Sequence, residues 1–175
     1  MRRAKSHSTT HCTGSQETGL KNTSNTHVLD ATDWKILVEL QENARISYAE
    51  LARRVGLSTP AAAERVRRLE EADVISGYRA EVNPAKVGLP VMAFIRVNVV
   101  GDALPKFVKK AMKCPEVLEV HRVTGAESFI IKVAVEDHEH LTAVIDSLMP
   151  YVATTTSIIL NSAVSWRCIT PRQQG

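Results

Sequence analysis

The sequence predicts an α+β protein: an N-terminal winged helix-turn-helix followed by a C-terminal ferredoxin-like βαββαβ domain. Two observations carry that expectation. Two short helical patterns meet at Gly56 within an arginine-rich stretch, and four strand-like segments are interleaved with two amphipathic helices further on. The expected divisions are a disordered tail over 1–28, a DNA-binding domain over 29–84, a linker over 85–90, an effector and oligomerisation domain over 91–167 and a C-terminal tail over 168–175.

Met1 to His27 is rich in Ser, Thr, His and Asn and shows no apolar periodicity, the composition of a weakly basic disordered tail. Its opening Met1-Arg2-Arg3-Ala4-Lys5 is followed by polar residues rather than an apolar run, which argues against a secretory signal. From Asp30 the pattern changes. Asp30 or Thr32 can cap a helix that carries Trp34, Leu37 and Val38 on one stripe, widened by Ile36 and Leu40. Ser47 and Glu50 have capping-box spacing ahead of Leu51, Ala52 and Val55. Gly56 supplies the left-handed turn, and a third helix starts at Ser58 or Thr59 and runs to about Asp73, burying Val66 and Leu69. Val74 to Val82 reads as two short strands around Ser76-Gly77, a wing, and Asn83-Pro84 closes the domain.

Beyond the linker, Val91, Ala93, Ile95, Val97 and Val99 share a strand face, and Leu104, Phe107, Val108 and Ala111 have helical spacing. A strand over Val117 to Thr124 ends at Gly125. Phe129, Ile131, Val133 and Val135 alternate as another. Leu141, Val144, Ile145 and Leu148 form a second amphipathic helix stopped by Pro150. Thr156, Ile158 and Leu160 lie along a last strand reaching towards Trp166. Two helices covering one sheet face leave Met92, Phe94, Val117, Val123 and Ile130 on the other, among Arg96, His121 and Lys132. Such a face suits a partner subunit; the alternative is a solvated surface.

The composition is that of a soluble globular chain, 44% hydrophobic and 23% charged, without an apolar run long enough for a membrane span. Cys12, Cys114 and Cys168 are odd in number and lack CxxC spacing, which favours reduced thiols over a disulfide framework. His7, His11 and Cys12 offer an incomplete metal-ligand set in the tail, so no metal site is expected.

The net charge of +3 is too small to name a partner, but its placement is informative. On the third helix Pro60, Glu64, Arg67 and Arg68 face away from the buried stripe, with Arg65 nearer the boundary. The N-terminal turn of such a helix enters the major groove, and basic residues beyond it reach phosphates. The expected DNA contacts are therefore Ser58, Thr59, Pro60, Ala61 and Glu64 with Arg67 and Arg68, joined by Arg45, Arg53 and Arg54, with Arg79 a further phosphate candidate. The successive Ala61, Ala62 and Ala63 permit close approach and can touch thymine methyls. Glu64 either accepts from a cytosine amine or pairs with Arg68 four residues on.

The runs Leu29-Asp30-Ala31-Thr32-Asp33-Trp34, Asn43-Ala44-Arg45, Ala49-Glu50-Leu51-Ala52, Val55-Gly56-Leu57-Ser58 and Glu64-Arg65-Val66-Arg67-Arg68-Leu69-Glu70 resemble the leucine-responsive/asparagine-regulator (Lrp/AsnC, feast/famine) family. Ile75-Ser76-Gly77-Tyr78, Val82-Asn83-Pro84 and Thr124-Gly125 continue the likeness, which spans about Leu29 to Trp166. The resemblance implies a sequence-selective regulator of transcription that binds double-stranded DNA, is cytoplasmic and nucleoid-associated, and is modulated by an amino acid or related metabolite through oligomer assembly. It implies self-association as dimers and onward to octamers, an effector site between dimers at Gly125, Ala126, Glu127 and Ser128 with Thr156, and no cofactor. Ser128 stands where the family commonly carries an aspartate, with Glu127 beside it.

Three rival readings remain. An enzyme would need a nucleophile–base pair or metal spacing, which His121, His138 and His140 with Glu119, Glu127 and Glu136 do not supply. An RNA-recognition sheet would need exposed aromatic platforms, and the strand from Phe129 to Val135 has one aromatic on the helix-covered side. A ligand-independent architectural DNA-wrapping protein is the nearest alternative.

Overall fold

The structure, a computed structural model, describes residues 28–99, 101–148 and 153–171. Residues 1–27 of the expected disordered tail, with His7, His11 and Cys12, the Pro150 helix stop and the end of the C-terminal tail fall outside the described residues. The described chain forms two compact units, one of 28–77 with Thr170 and Pro171, the other of 78–169.

The first unit holds α1 (Ala31–Glu42), α2 (Tyr48–Val55) and α3 (Thr59–Glu71). Asp30 caps α1 with a complete capping box: its side chain accepts from Asp33 N at 2.7 Å, and Asp30 N donates to the Asp33 carboxylate at 3.1 Å. At α2 the box is half made. Ser47 accepts from Glu50 N at 3.2 Å, while the Glu50 carboxylate turns to Arg53 and Arg54. Gly56 ends α2 at φ 75°, a conformation that costs a Cβ-bearing residue free energy, so the chain reverses within three residues. Ser58 is the cap of α3, and Pro60 sits in its first turn, where no N–H is needed. Asp73 adopts φ 56° just beyond α3, one of the few side chains that tolerate it. Ile36, Leu37, Leu51, Val55, Val66 and Leu69 form the core between the three helices, with Val74 and Ile75 packed at its edge.

The wing is the main departure from the sequence reading. Residues 74–83 contain no strand. Val74 and Ile75 are drawn to the helical core, and beyond them Tyr78 and Val82 are 48% and 60% exposed. A two-stranded ribbon with no apolar face to bury is marginal in water, so alternation alone does not make one here. Asn83 instead caps a short 3₁₀ turn over Pro84–Val87.

The second unit runs β1 (Val91–Asn98), α4 (Ala103–Ala111), β2 (Val117–Arg122), β3 (Phe129–Val135), α5 (His138–Leu148) and β4 (Ala153–Ile158). All neighbours are antiparallel in the order β2-β3-β1-β4, the ferredoxin-like arrangement. Ala93, Ile95, Val97, Phe129, Ile131 and Val133 meet Phe107, Ala111, Leu141, Val144 and Leu148 from the two helices in a dry core. Phe129 is buried against Phe107 with ring centroids 5.2 Å apart, so no aromatic platform of the RNA-binding kind is presented there.

On the opposite face Met92, Phe94 and Arg96 lie beside Lys132 and Ile130 of β3, with Glu119 and His121 of β2 beyond. Val117 belongs to the other side: a register shift between Val117 and Glu119 turns it towards the core. The last strand stops at Ile158 rather than continuing towards Trp166. Pairing with β1 ends at Ala93 opposite Ile158, with one further bond from Ile159 N to the Met92 carbonyl at 2.8 Å, and Leu160 beyond it is 93% exposed.

Candidate nucleic-acid interface and effector loop

Helix α3 presents its capped N-terminus to solvent. Ser58, Thr59 and Pro60 are exposed, Ala61 is half-buried, and Ser58 Oγ accepts from Ala61 N at 3.4 Å. The alanine run divides here. Ala62 is fully buried in the helical core, so a close approach over this turn rests on Ala61 and Ala63 alone.

The arginines do not point loosely into water. Arg67 meets both oxygens of Glu64, Nε to Oε2 at 2.9 Å and Nη2 to Oε1 at 2.7 Å, and also pairs with Glu71. Arg68 Nε reaches the same Glu64 at 3.2 Å. Glu64 therefore pairs with Arg68 and more tightly with Arg67, which places its carboxylate between two guanidinium groups. Arg67 first and Arg68 second hold that carboxyl down at about 2, against an ordinary 4.5. On α2, Arg53 and Arg54 share Glu50 at 2.7 Å each, Arg54 also reaches Glu39 at 2.9 Å, and Glu50 is likewise held at about 2, chiefly by Arg53. Arg45 is exposed and has no ion pair among the described residues.

Arg65 has another role. Its Nη1 lies 2.7 Å from both Asp30 Oδ2 and Asp33 Oδ1, tying α3 to the start of α1. Asp30 is one of the two caps that the sequence offers for α1; the meeting of Asp30 and Asp33 with a guanidinium on α3 is not legible there, because helix packing alone brings it about.

In the second unit, Gly125 at φ 120° and Ala126 are exposed, while Glu127 and Ser128 are half-buried. Ser128 Oγ accepts from Val99 N at 3.2 Å and lies 3.1 Å from the Val99 carbonyl, to which it donates. Its backbone N–H donates to Val97 O at 2.8 Å. The hydroxyl thus closes the end of the β1–β3 ladder. Thr156 is half-buried on the helix side of β4, opposite Ile95, with β1 between it and β3; two strand spacings, about 10 Å, lie between it and β3, and its row meets β3 at Ile131, three residues on from Ser128. Loop and threonine are not brought together within one chain.

A cluster that spacing did not reveal joins Cys114, Glu116 and His140 at a cavity of about 280 Å³ also lined by Lys110, Lys113 and Ser147. Cys114 Sγ donates to Glu116 Oε2 at 2.9 Å, and His140 Nε2 lies 3.2 Å from Glu116 Oε1. Burial first, then the Glu116 hydrogen bond, push the thiol up to about 11, and the thiol in turn helps hold the carboxyl down. A thiol so suppressed is a poor nucleophile.

Comparison with known proteins accords with both units. The AsnC-type helix-turn-helix domain matches residues 29–70, and the Lrp/AsnC ligand binding domain matches residues 92–167. The chain is 41% identical to the HTH-type transcriptional regulator YezC of Bacillus subtilis over 77% of its own length and 96% of that protein. It is 37% identical to the proline dehydrogenase transcriptional activator of Rhodobacter capsulatus, covering 79% of this chain and 94% of that one. A transcriptional regulator of Neisseria meningitidis, solved in complex with L-Met, superposes with a TM-score of 0.77 at 33% identity, over 81% of this chain and 96% of its own. With both domains matched in order and relatives aligned over nearly their whole length, the chain belongs to the Lrp/AsnC family of transcriptional regulators, built from a helix-turn-helix DNA-binding domain and a ligand-binding domain.

Proposed function

We propose that this regulator grips duplex DNA with the first turn of α3, Ser58 to Ala61, in the major groove, while Arg45, Arg53, Arg54, Arg67 and Arg68 contact phosphates. The observation that carries this reading is the exposed, side-chain-capped start of α3, with Arg67 and Arg68 further along the same helix. On this reading 29–84 is the DNA-binding domain, 85–90 the linker and 91–167 the effector domain, and the protein is a cytoplasmic, nucleoid-associated regulator rather than an enzyme. Self-association is supported by the apolar groups left on the outer sheet face and beyond it: Phe94, Leu118, Leu160, Val164 and Trp166 are all substantially exposed. A dimer carries two α3 helices and so favours pseudo-palindromic sites.

The effector is an amino-acid-like molecule at Gly125 to Ser128, with Thr156 supplied across an interface between subunits. Because the Ser128 hydroxyl is engaged by Val99, the group left to hold an ammonium is the Glu127 carboxylate. The same engagement favours a second reading, an architectural DNA-wrapping protein that needs no ligand. A thermal-shift screen of the twenty amino acids, read together with light scattering, separates the two. A sensor shows a stabilising amino acid that shifts assembly; the architectural protein shows an oligomer indifferent to all of them.

A further inference from the structure

The sequence Glu-x-x-Arg-Arg occurs twice, as Glu50-Leu51-Ala52-Arg53-Arg54 on α2 and Glu64-Arg65-Val66-Arg67-Arg68 on α3. Offsets of three and four residues bring both arginines of each motif over the face of its glutamate. The structure forms both clamps: Arg53 and Arg54 each at 2.7 Å from Glu50, Arg67 at 2.7 Å and Arg68 at 3.2 Å from Glu64. Arg53 and Arg67 each meet both carboxylate oxygens of their glutamate through Nε and Nη2. That planar fork is the one a phosphate would occupy.

We propose that Glu50 and Glu64 are internal stand-ins for DNA phosphate, so that binding proceeds by exchange of carboxylate for phosphate at four guanidinium groups. The inference rests on the reading of Arg53, Arg54, Arg67 and Arg68 as phosphate contacts. Each exchange leaves a glutamate carboxylate beside a phosphate, and that repulsion is the same on every DNA sequence. The glutamates therefore set the absolute affinity and its salt dependence while leaving sequence preference unchanged. A glutamate that read a cytosine amine would do the opposite, altering preference at one base pair. One that merely held the arginines in a productive pose would weaken DNA binding when removed.

The test uses the full chain with Glu64→Gln, Glu50→Gln and the pair, measured by anisotropy on a preferred duplex and a random-sequence duplex across a salt series. Each single change is expected to tighten binding about tenfold at low salt, by the same factor on both duplexes, and to steepen the log K against log salt slope by up to about one unit. Glu42→Gln is the charge control, since Glu42 is exposed on α1 and has no ion pair among the described residues; its effect should be much smaller. Weaker binding, a gain confined to one duplex, no gain, or an equal gain from Glu42→Gln would each overturn the proposal. Both clamp glutamates are surface groups, and an unchanged melting temperature checks that the fold is kept. If Arg67→Ala/Arg68→Ala fails to flatten the slope, the phosphate reading itself is wrong; if it flattens the slope and Glu64→Gln gives no gain, only the exchange is.

Discussion

Arg65 Nη1 sits 2.7 Å from Asp33 Oδ1 and bridges it to Asp30 Oδ2 at the same distance, so a guanidinium on α3 pairs with both carboxylates of the α1 capping box. Asp33 is the one buried charged residue among those described, and Arg65 is what neutralises it. Arg65 thus serves the fold, whereas its neighbours Arg67 and Arg68 face outward.

Arg65→Ala should lower the stability of the helical unit by about 1–2 kcal/mol, a value kept modest because the guanidinium is partly exposed. The salt slope of DNA binding should stay as it is. Thermal unfolding and a salt titration on the same variant check both halves. A flattened slope with unchanged stability would place Arg65 at the DNA instead.

The clamp carboxyls predict an acid titration. Glu50 and Glu64 sit at about 2 in the folded chain against 4.5 ordinarily. For groups with depressed values, the stabilising pairs are complete above the ordinary value and are lost as pH falls towards about 2. Carbon-13 side-chain shifts of Glu64 should still report a carboxylate at pH 3.5 in the free protein. A midpoint near 4.5 would mean the clamp does not hold in solution.

Cys114 should be slow to alkylate. Its thiol stands at about 11 against 9.0, two units, hence about a hundredfold less thiolate at neutral pH. Mass spectrometry after iodoacetamide treatment should show Cys114 protected until the protein is unfolded, and Glu116→Ala should speed its modification. Fast labelling of Cys114 in the native protein would contradict the hydrogen bond to Glu116.

At the effector loop, Glu127→Gln should weaken the tightest amino-acid interaction at least tenfold, the scale of a lost charge-assisted hydrogen bond. Ser128→Ala should instead cost about 1 kcal/mol of stability in the second unit, by removing the contacts to Val99. Calorimetry and thermal unfolding of the two variants distinguish them. Loss of binding in Ser128→Ala at full stability would reverse the roles assigned here.

Legibility of the sequence followed the physics of each signal. Helices and core strands were readable because burial enforces a period: Val66 and Leu69, or Ile131 and Val133, have one face to hide. The wing is not legible because Tyr78 and Val82 carry strand propensities, yet both side chains are about half exposed and give a ribbon little apolar face to bury. Val117 was assigned to the wrong face because one register shift flips a side chain across the sheet. Candidate DNA contacts were readable as a surface. Their pairing state was only half readable: the Glu64–Arg68 option follows from local spacing, but Arg54 with Glu39 and Arg65 with Asp33 arise from helices meeting in space. The Ser128 substitution was visible, and its hydrogen bonds to Val99 were not, since they cross from one strand to the next.

The proposed docking lays α3 against DNA with its arginines on the backbone. The direct measurement is the dependence of DNA affinity on salt for the native chain and for Arg67→Ala/Arg68→Ala, on a random-sequence duplex. Each lost phosphate contact removes about 0.9 from the slope of log K against log salt, so the double variant should be flatter by about two units and weaker on all sequences alike. A slope equal to that of the native chain would show that these arginines do not touch the backbone, and the proposed docking of α3 would fall.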